Sequence, residues 1–503
     1  MIDGAKTTLV LGPPGCGKTT TLLGYVEAEL GAGVDPAKIG YVSFSTRAAH
    51  EARDRAAKRF GLASDDLPWF RTIHSLAFRQ LAMAPSSVVR PANLKELGSL
   101  LNVDITGGRG WEDGTMFLQS KGDRALHMDQ LARVWGIPLS DQWQRESDRL
   151  SYFYVERISR GLQEYKSSRG LIDFTDMLVE FLKRGTPPNI DVLCIDEAQD
   201  LSSLQWMVVE RLAAGARKVI VAGDDDQAIY TWAGSDLDYF LQIPGKEQVL
   251  EQSYRVPIAV QHVAKRIVER ITVRREKKWK PRAEDGDVSY LSHPDELDLS
   301  TGQWLVLARN KYLLAQVAEV CHRHGYFFTH NGAASVSAAH LAAITAWEKL
   351  RSGQDVSVEE VHRFLPYIRS QSFVPGAKKT LRGMSPMAVL HGGTLKEAFG
   401  LSAAAIWHVA LDKLPSGVRD YVIASLRRGE KLRSEPRIRL STVHAAKGSE
   451  ADNVALLTDM SGRTAKDAVR VPEAEARVWY VATTRARNRL VVVRPQTHKH
   501  YAL

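Results

Sequence analysis

Cysteine is scarce in this chain: Cys16, Cys194 and Cys321 are the only three among 503 residues. They stand far apart, with no CxxC spacing and no histidine cluster nearby, which argues against both a disulfide framework and a zinc site. Such a sequence fits a reducing cytoplasm. Long apolar runs are missing too. No stretch approaches the ~20 apolar residues that a membrane-spanning helix needs. The opening MIDGAKTTLVLG lacks the basic flank and cleavage site of a secretory leader. No membrane partner is therefore expected. There is no internal repeat and no low-complexity tail. The charge surplus is modest, a net +9, which is compatible with a polyanionic partner but does not identify one.

What is present is a composition of 44% hydrophobic and 25% charged residues, ordinary for a globular protein. The chain is too long for one hydrophobic core, so about three or four domains are expected. Thr7–Leu11, Gly40–Phe44, Asp191–Ile195 and Val219–Ala222 read as buried parallel strands, each a short apolar run closed by a turn or polar motif. Helical patterns such as Lys18–Leu30 and Ala48–Phe60 lie between them. Alternating strand and helix implies a parallel sheet covered on both faces. Trp304–Ala308, Arg439–Val443, Val454–Leu457 and Leu490–Val493 suggest a second α/β core. The stretch Pro85–Gly170, with the loop Thr106–Gly114, interrupts the first core, and the mostly helical Gly332–Pro436 interrupts the second.

Gly12-Pro-Pro-Gly-Cys-Gly-Lys-Thr19 matches GxxxxGK[ST] between a strand and a helix, which is the context the motif requires. Glycines let backbone N–H groups turn inward around phosphate oxygens at the positive end of a helix. Gly12, Pro13, Gly15, Cys16, Gly17, Lys18, Thr19 and Thr20 are thus candidate nucleotide-binding residues. Lys18 is placed to reach the β and γ phosphates, and Thr19 to hold Mg²⁺. Cys16 reads as a small filler. About 180 residues later, the apolar run from Asp191 ends in Asp196-Glu197-Ala-Gln-Asp200. Asp196 sits at the carboxyl end of a strand, where ligands bind in open α/β sheets, and is the second Mg²⁺ candidate. Glu197 is the candidate for positioning or deprotonating an attacking water. Asp200 reads more simply as a solvated carboxylate.

Further motifs follow in order: Phe44-Ser-Thr-Arg-Ala-Ala49, Thr72-Ile-His-Ser-Leu76, Ile172-Asp-Phe-Thr-Asp176 and Gly223-Asp-Asp-Asp-Gln-Ala-Ile-Tyr-Thr-Trp232. Then come Leu250-Glu-Gln-Ser-Tyr-Arg255, Leu440-Ser-Thr-Val-His-Ala-Ala-Lys-Gly-Ser-Glu450 and Tyr480-Val-Ala-Thr-Thr-Arg-Ala486. Together with the phosphate loop and the acidic pair, this series resembles the UvrD/Rep family of superfamily-one DNA helicases.

The resemblance implies two RecA-like motor domains, each with a mainly helical insertion. On this sequence they fall at 1–84 with 171–255, and at 256–331 with 437–503; the insertions are 85–170 and 332–436. It implies ATP and Mg²⁺ as cofactors and a place in DNA repair or replication. Lys18, Glu197, Gln227, Arg255 and Arg485 become the catalytic set. Gln227 would sense the γ phosphate. Arg255 and Arg485 would meet the charge that spreads over the transferring group, so that ATP closes a cleft and hydrolysis opens it. Tyr254 is implied at the base and Glu450 at the ribose. Phe44, Tyr230 and Trp232 are implied as stacking platforms for single-stranded DNA, with Thr46, Arg47, His74, Thr442 and His444 along its backbone.

Several features depart from that pattern. No Gln precedes Gly12, which places strict adenine preference in question. Ala233 stands where the family often has Arg, and the second insertion is short, at 105 residues from Gly332 to Pro436. An appended nuclease is not expected, and against the family the economy of the chain suggests a compact, prokaryotic or phage-encoded member. The expectation is an ATP-dependent DNA helicase moving 3′ to 5′ on single strands and acting at junctions with duplex, with loading or accessory proteins as partners. A translocase that strips proteins and unwinds only with a partner is the alternative. A nucleotide-dependent switch is disfavoured by Arg255, Arg485 and Glu197 together, and RNA by the lack of a module that reads it. The basic run Arg274–Lys280, interleaved with Trp279, is either a nucleic-acid contact or a solvated face. Lys378-Lys379 and Arg427-Arg428 are weaker candidates for the same role.

Overall fold

A computed structural model of the chain describes residues 1–107, 120–146 and 150–503; the Arg47 side chain and most of the loop Thr106–Gly114 lie outside the described residues. Strands β1 (Thr7–Leu11), β2 (Ile39–Ser43), β3 (Phe70–Thr72), β4 (Val192–Asp196), β5 (Lys218–Gly223) and β6 (Lys246–Val249) form one sheet in the order β3-β2-β4-β5-β1-β6. Every pairing in it is parallel.

Side chains alternate across a strand, so each strand feeds two cores. Val10, Tyr41, Val192, Cys194 and Ile220 join one core, where α1 (Lys18–Gly31) and α2 (Thr46–Phe60) contribute Leu22, Val26, Ala52 and Ala56. Leu9, Val42, Leu193, Ile195 and Val221 join the other. There α3 (Ile73–Gln80) and the helices Phe174–Arg184 and Ser203–Gly215 supply Leu76, Phe181 and Val208. Burial on both faces makes these strands continuous apolar runs. β1 and the strand Trp304–Ala308 match expectation to the residue, and the other expected strands shift or lengthen by one to four residues at an end. The edge strands β3 and β6 carry no such signal. β3 has three residues, and β6 reads Lys-Glu-Gln-Val with most of it exposed.

By compactness the chain forms two units, Met1–Tyr290 with Thr442–Leu503, and Leu291–Ser441. The first also contains strands Ala451–Leu457 and Ala486–Val493, paired in parallel, with helix Pro472–Thr483 between them. Its helices Lys121–Trp135 and Tyr152–Arg169 share a small core through Ala125, Met128, Val155 and Ile158. Two cations tie them to the start of helix Phe174–Arg184. Arg133 bonds Asp173 at 2.8 Å and Asp176 at 3.0 Å, and Lys166 bonds the same two carboxylates at 2.7 and 2.6 Å. In the second unit, Phe328 to His330 pair in parallel with Ile438 to Leu440. Its helices Ala338–Arg351 and Val358–Phe364 bring Trp347 and Phe364 edge to face at 5.4 Å. The expected α/β architecture with parallel sheets is the one observed. Among the described residues, no helix is long and apolar enough to cross a membrane.

Candidate nucleotide and nucleic-acid site

β1 ends at Leu11 and α1 begins at Lys18, so the phosphate loop spans the carboxyl end of a central strand and the amino end of a helix. Two of its glycines take left-handed backbone, Gly15 at φ +73° and Gly17 at φ +85°. Close approach matters as much as torsion. A Cβ on Gly15 would lie 2.4 Å from the Cβ of Arg255, and one on Gly12 would lie 2.5 Å from Cys16 Sγ. The loop is thus seated against the segment Gln252–Pro257. The Tyr254 amide donates to the Gly15 carbonyl at 2.9 Å, and Ser253 Oγ donates to the Pro14 carbonyl at 2.7 Å. Tyr254 itself is 71% exposed, leaving its ring open beside the loop. Lys18 is buried and donates to the carbonyls of Gly12 at 2.8 Å and Pro13 at 3.1 Å. Burial pushes the Cys16 thiol up, which keeps it protonated and fits the filler reading. Thr20 Oγ1 accepts from Arg55 on α2 at 3.0 Å.

The acidic pair stands where β4 ends. Thr19 Oγ1 donates to Asp196 Oδ2 at 2.9 Å, and the Tyr41 hydroxyl donates to the same oxygen at 2.6 Å. Hydroxyl and carboxylate are hard oxygen ligands of the type Mg²⁺ takes, in the small number it needs beside water and phosphate oxygens. Burial, reinforced by Glu197, raises the Asp196 carboxyl above its ordinary value. Glu197 behaves oppositely. Burial would raise it, but Lys447, Lys18, Gln199 and Arg485 outweigh that and hold it lowered. Its backbone is left-handed at φ +53°, an uncommon state for a non-glycine residue, and Gln199 Nε2 fixes its carboxylate at 2.6 Å.

Gln227 and Arg485 meet in the same place. Arg485 Nη2 donates to Gln227 Oε1 at 2.8 Å, and Gln227 Nε2 donates to Asp224 Oδ2 at 2.6 Å. Burial, followed by the like charge of Arg255, lowers Arg485 to about 9. Two guanidiniums that repel each other in a dry site make a receptor for an anion. Glu450 occupies Arg255 with an ion pair and also binds Arg487.

Asp200 is not the solvated carboxylate its position suggested. It is buried and paired with Lys447, whose ammonium also donates to the Gln227 carbonyl at 2.6 Å. Lys447 Nζ lies 5.2 Å from the Tyr230 ring centre. Tyr230 begins an aromatic cluster. Its ring stacks on Phe44 at 5.1 Å and lies 6.3 Å from Trp232 and 6.2 Å from His444; Trp232 and His444 are 6.1 Å apart. The Tyr230 hydroxyl donates to the His444 carbonyl at 3.1 Å. Phe44, Tyr230 and Trp232 are half-buried, while His444 and Thr442 are buried. Thr46 is exposed at the start of α2. His74 stands apart from the cluster, edge-on to Phe174 at 5.5 Å, and burial lowers it to about 4, so it is neutral near pH 7.

The basic run Arg274–Lys280 fits neither of its two expected readings along its first half. Arg274 chelates Asp226, with bonds of 2.7 and 2.6 Å, and the Lys277 side chain is 1% exposed among Asp224, Asp225 and Asp226. Arg275 pairs with Glu247 and donates to the Leu241 carbonyl at 2.8 Å. These cations are consumed inside the protein. Lys447, Asp200, Gln199, Tyr41 and Lys277 are the site residues that motif reading did not assign. Of these, Lys447, Asp200 and Gln199 lie inside motifs that could have flagged them, and Tyr41 and Lys277 do not.

The model of the UvrD/REP helicase N-terminal domain matches residues 3–248, and that of the UvrD-like helicase C-terminal domain matches residues 421–496. DNA helicase II of Escherichia coli (strain K12) is 26% identical over 320 residues, covering 58% of this chain and 42% of that protein. The putative ATP-dependent DNA helicase YjcD of Bacillus subtilis (strain 168) is 27% identical over 317 residues, covering 58% and 40%. The ATP-dependent DNA helicase PcrA of the same organism is 24% identical over 323 residues, covering 58% and 42%. The matched segment thus spans about two fifths of the length of these relatives.

Proposed function

We propose a motor function from the premise those matches establish: the chain belongs to the UvrD/Rep helicase family. In this reading it is an ATP-dependent helicase that moves on single-stranded DNA, 3′ to 5′, and opens duplex at junctions. The observation that carries it is Lys447. One ammonium touches Asp200, four residues beyond Asp196, and the Gln227 carbonyl, and it lies over the Tyr230 ring of the aromatic cluster. A displacement of either the nucleotide side or the DNA side therefore moves groups on the other.

Lys18 leaves the Gly12 and Pro13 carbonyls for the β and γ phosphate oxygens. Thr19 and Asp196 would hold Mg²⁺, which would supply charge neutralisation to the triphosphate. Glu197 orients water for in-line attack. The water oxygen bonds to the γ phosphorus, the bond to the β-phosphate bridging oxygen breaks, and the water proton passes to the Glu197 carboxylate. Arg485, and Arg255 once released from Glu450, meet the charge that develops on the transferring group. Gln227 reports its presence through Arg485 on one side and the Lys447 contact on the other. Tyr254 stacks on the base. The aromatic faces of Phe44, Tyr230 and Trp232 hold successive bases without reading sequence, at about 1–3 kcal/mol each.

The test is ATP-dependent strand displacement on two duplexes, one with a 3′ and one with a 5′ single-stranded tail. Displacement from the 3′ tail alone is expected. Displacement from the 5′ tail alone would overturn the polarity. No displacement, with DNA-stimulated hydrolysis intact, would leave a translocase that unwinds only with a partner.

A further inference from the structure

The basic run that neither DNA nor solvent accounts for has a specific target. Lys277 Nζ is ion-paired with Asp225 and lies 3.2 Å from Asp224 Oδ1 and 3.1 Å from Asp226 Oδ2. All four side chains are at most 1% exposed. The two oxygens of Asp224 are thereby divided. Oδ1 faces Lys277 and also accepts from the Asp226 amide at 3.3 Å, while Oδ2 accepts from Gln227 Nε2 at 2.6 Å. Gln227 then has one orientation available. Its amide nitrogen is committed to Asp224, so its oxygen faces Arg485 Nη2 at 2.8 Å. A flipped amide would set its NH₂ against a guanidinium and its oxygen against a carboxylate, and both contacts would be lost. Other bonds brace the assembly. Arg274 chelates Asp226, the Arg275 amide donates to Asp225 Oδ2 at 2.8 Å, and Arg477 Nε donates to the Asp225 carbonyl at 3.0 Å.

We infer that Lys277 is a positioning residue for ATP hydrolysis: through Asp224 it sets the Gln227 amide, and hence the Arg485 guanidinium, in the state that answers the γ phosphate. The inference rests on the reading of Gln227 as the γ-phosphate sensor. The Lys277 side chain is closed off among the three aspartates and acts through Asp224. It lies in the segment that follows helix Ile258–Val268, and so couples the sensor to that segment. A buried ammonium is costly unless fully paired, and here its pairing holds one side-chain amide.

The test is a double-mutant cycle on the full chain, reading steady-state ATP turnover with saturating oligothymidylate. Lys277→Met is expected to lower kcat at least about tenfold while KM for ATP changes less than about threefold. Lys277→Arg, which keeps the charge, should stay within about threefold of the unchanged protein. In a Gln227→Ala background, Lys277→Met should change kcat less than about twofold, because the group it positions is gone. A merely structural role would give the same proportional fall in both backgrounds, and that result overturns the inference. So does unaltered turnover in a folded Lys277→Met protein. If Lys277→Met does not fold, the cycle is run with Lys277→Arg, whose smaller fall should vanish in the Gln227→Ala background; equal falls overturn the inference. Failure of the motor reading is distinct, because the unchanged protein would then show no DNA-stimulated hydrolysis at all.

Discussion

In the unit Met1–Tyr290 with Thr442–Leu503, Lys18, Asp196, Asp200, Asp224, Lys277 and Arg485 are all buried. In the unit Leu291–Ser441, Arg309 is the one charged residue in that class among the described residues, and the interior is made of side chains such as Trp347, Phe364 and Leu381. Burying a charge costs several kcal/mol unless it is paired, and replacing a buried pair by apolar groups is often neutral or stabilising. A region that keeps many such charges therefore keeps them for what they do, while a region without them is held by ordinary apolar packing. By this contrast the proposed chemistry falls in the first unit. The second should tolerate loss of packing without loss of catalytic chemistry.

The largest effect should come from the first unit. Lys18→Ala removes the ammonium that the loop carbonyls hold in place, and ATP turnover should fall by at least about a thousandfold. Near-normal turnover would break the contrast at its base. Next comes Trp347→Ala in the second unit. Trp347 is 1% exposed, and its Nε1 donates to the Ala405 carbonyl at 2.9 Å. The cost should be about 3–5 kcal/mol in denaturant unfolding of that unit, with kcat for ATP kept in the protein that remains folded. A matching fall in kcat would blur the division between the units.

Trp232→Ala sharpens the contrast within the first unit. It should raise the DNA concentration for half-maximal stimulation by about 5- to 150-fold, the range of ~1–3 kcal/mol for one stacked base. Hydrolysis without DNA should stay measurable. Equal stimulation of variant and unchanged protein would remove Trp232 from the stacking surface.

The smallest effect concerns Asp200, which burial raises to about 7 against the partial opposition of Lys447. Below pH 7 the carboxyl is protonated and the ion pair with Lys447 is lost; above it the pair forms. DNA-stimulated kcat should therefore rise by about threefold between pH 6 and 8, and Asp200→Asn should flatten that rise. Stability runs the other way. A carboxyl whose pKa is raised on folding contributes stability that is fully present below its unfolded value near 4 and is lost as pH rises through about 7. Asp200→Asn should remove that slope from pH-dependent unfolding.

The central strands, the phosphate loop and the acidic pair were legible because each is written in consecutive residues. Four apolar residues, 192–195, followed by Asp196 say strand and candidate ligand at once. Lys277 was not legible. Its partners lie some 50 residues upstream, and a run of cations looks the same whether it faces water or three aspartates. The same holds for Lys447 and Asp200, 247 residues apart. The exposed edge strand β6 lacked the apolar run that marks a buried one.

The most direct measurement of the central claim is ATP turnover by the full chain with and without single-stranded oligothymidylate. The contact of Lys447 with both Gln227 and Tyr230 predicts stimulation of about tenfold or more, abolished by Lys18→Ala and shifted to higher DNA concentration by Trp232→Ala. Turnover indifferent to single-stranded DNA would contradict the coupling of these two sites.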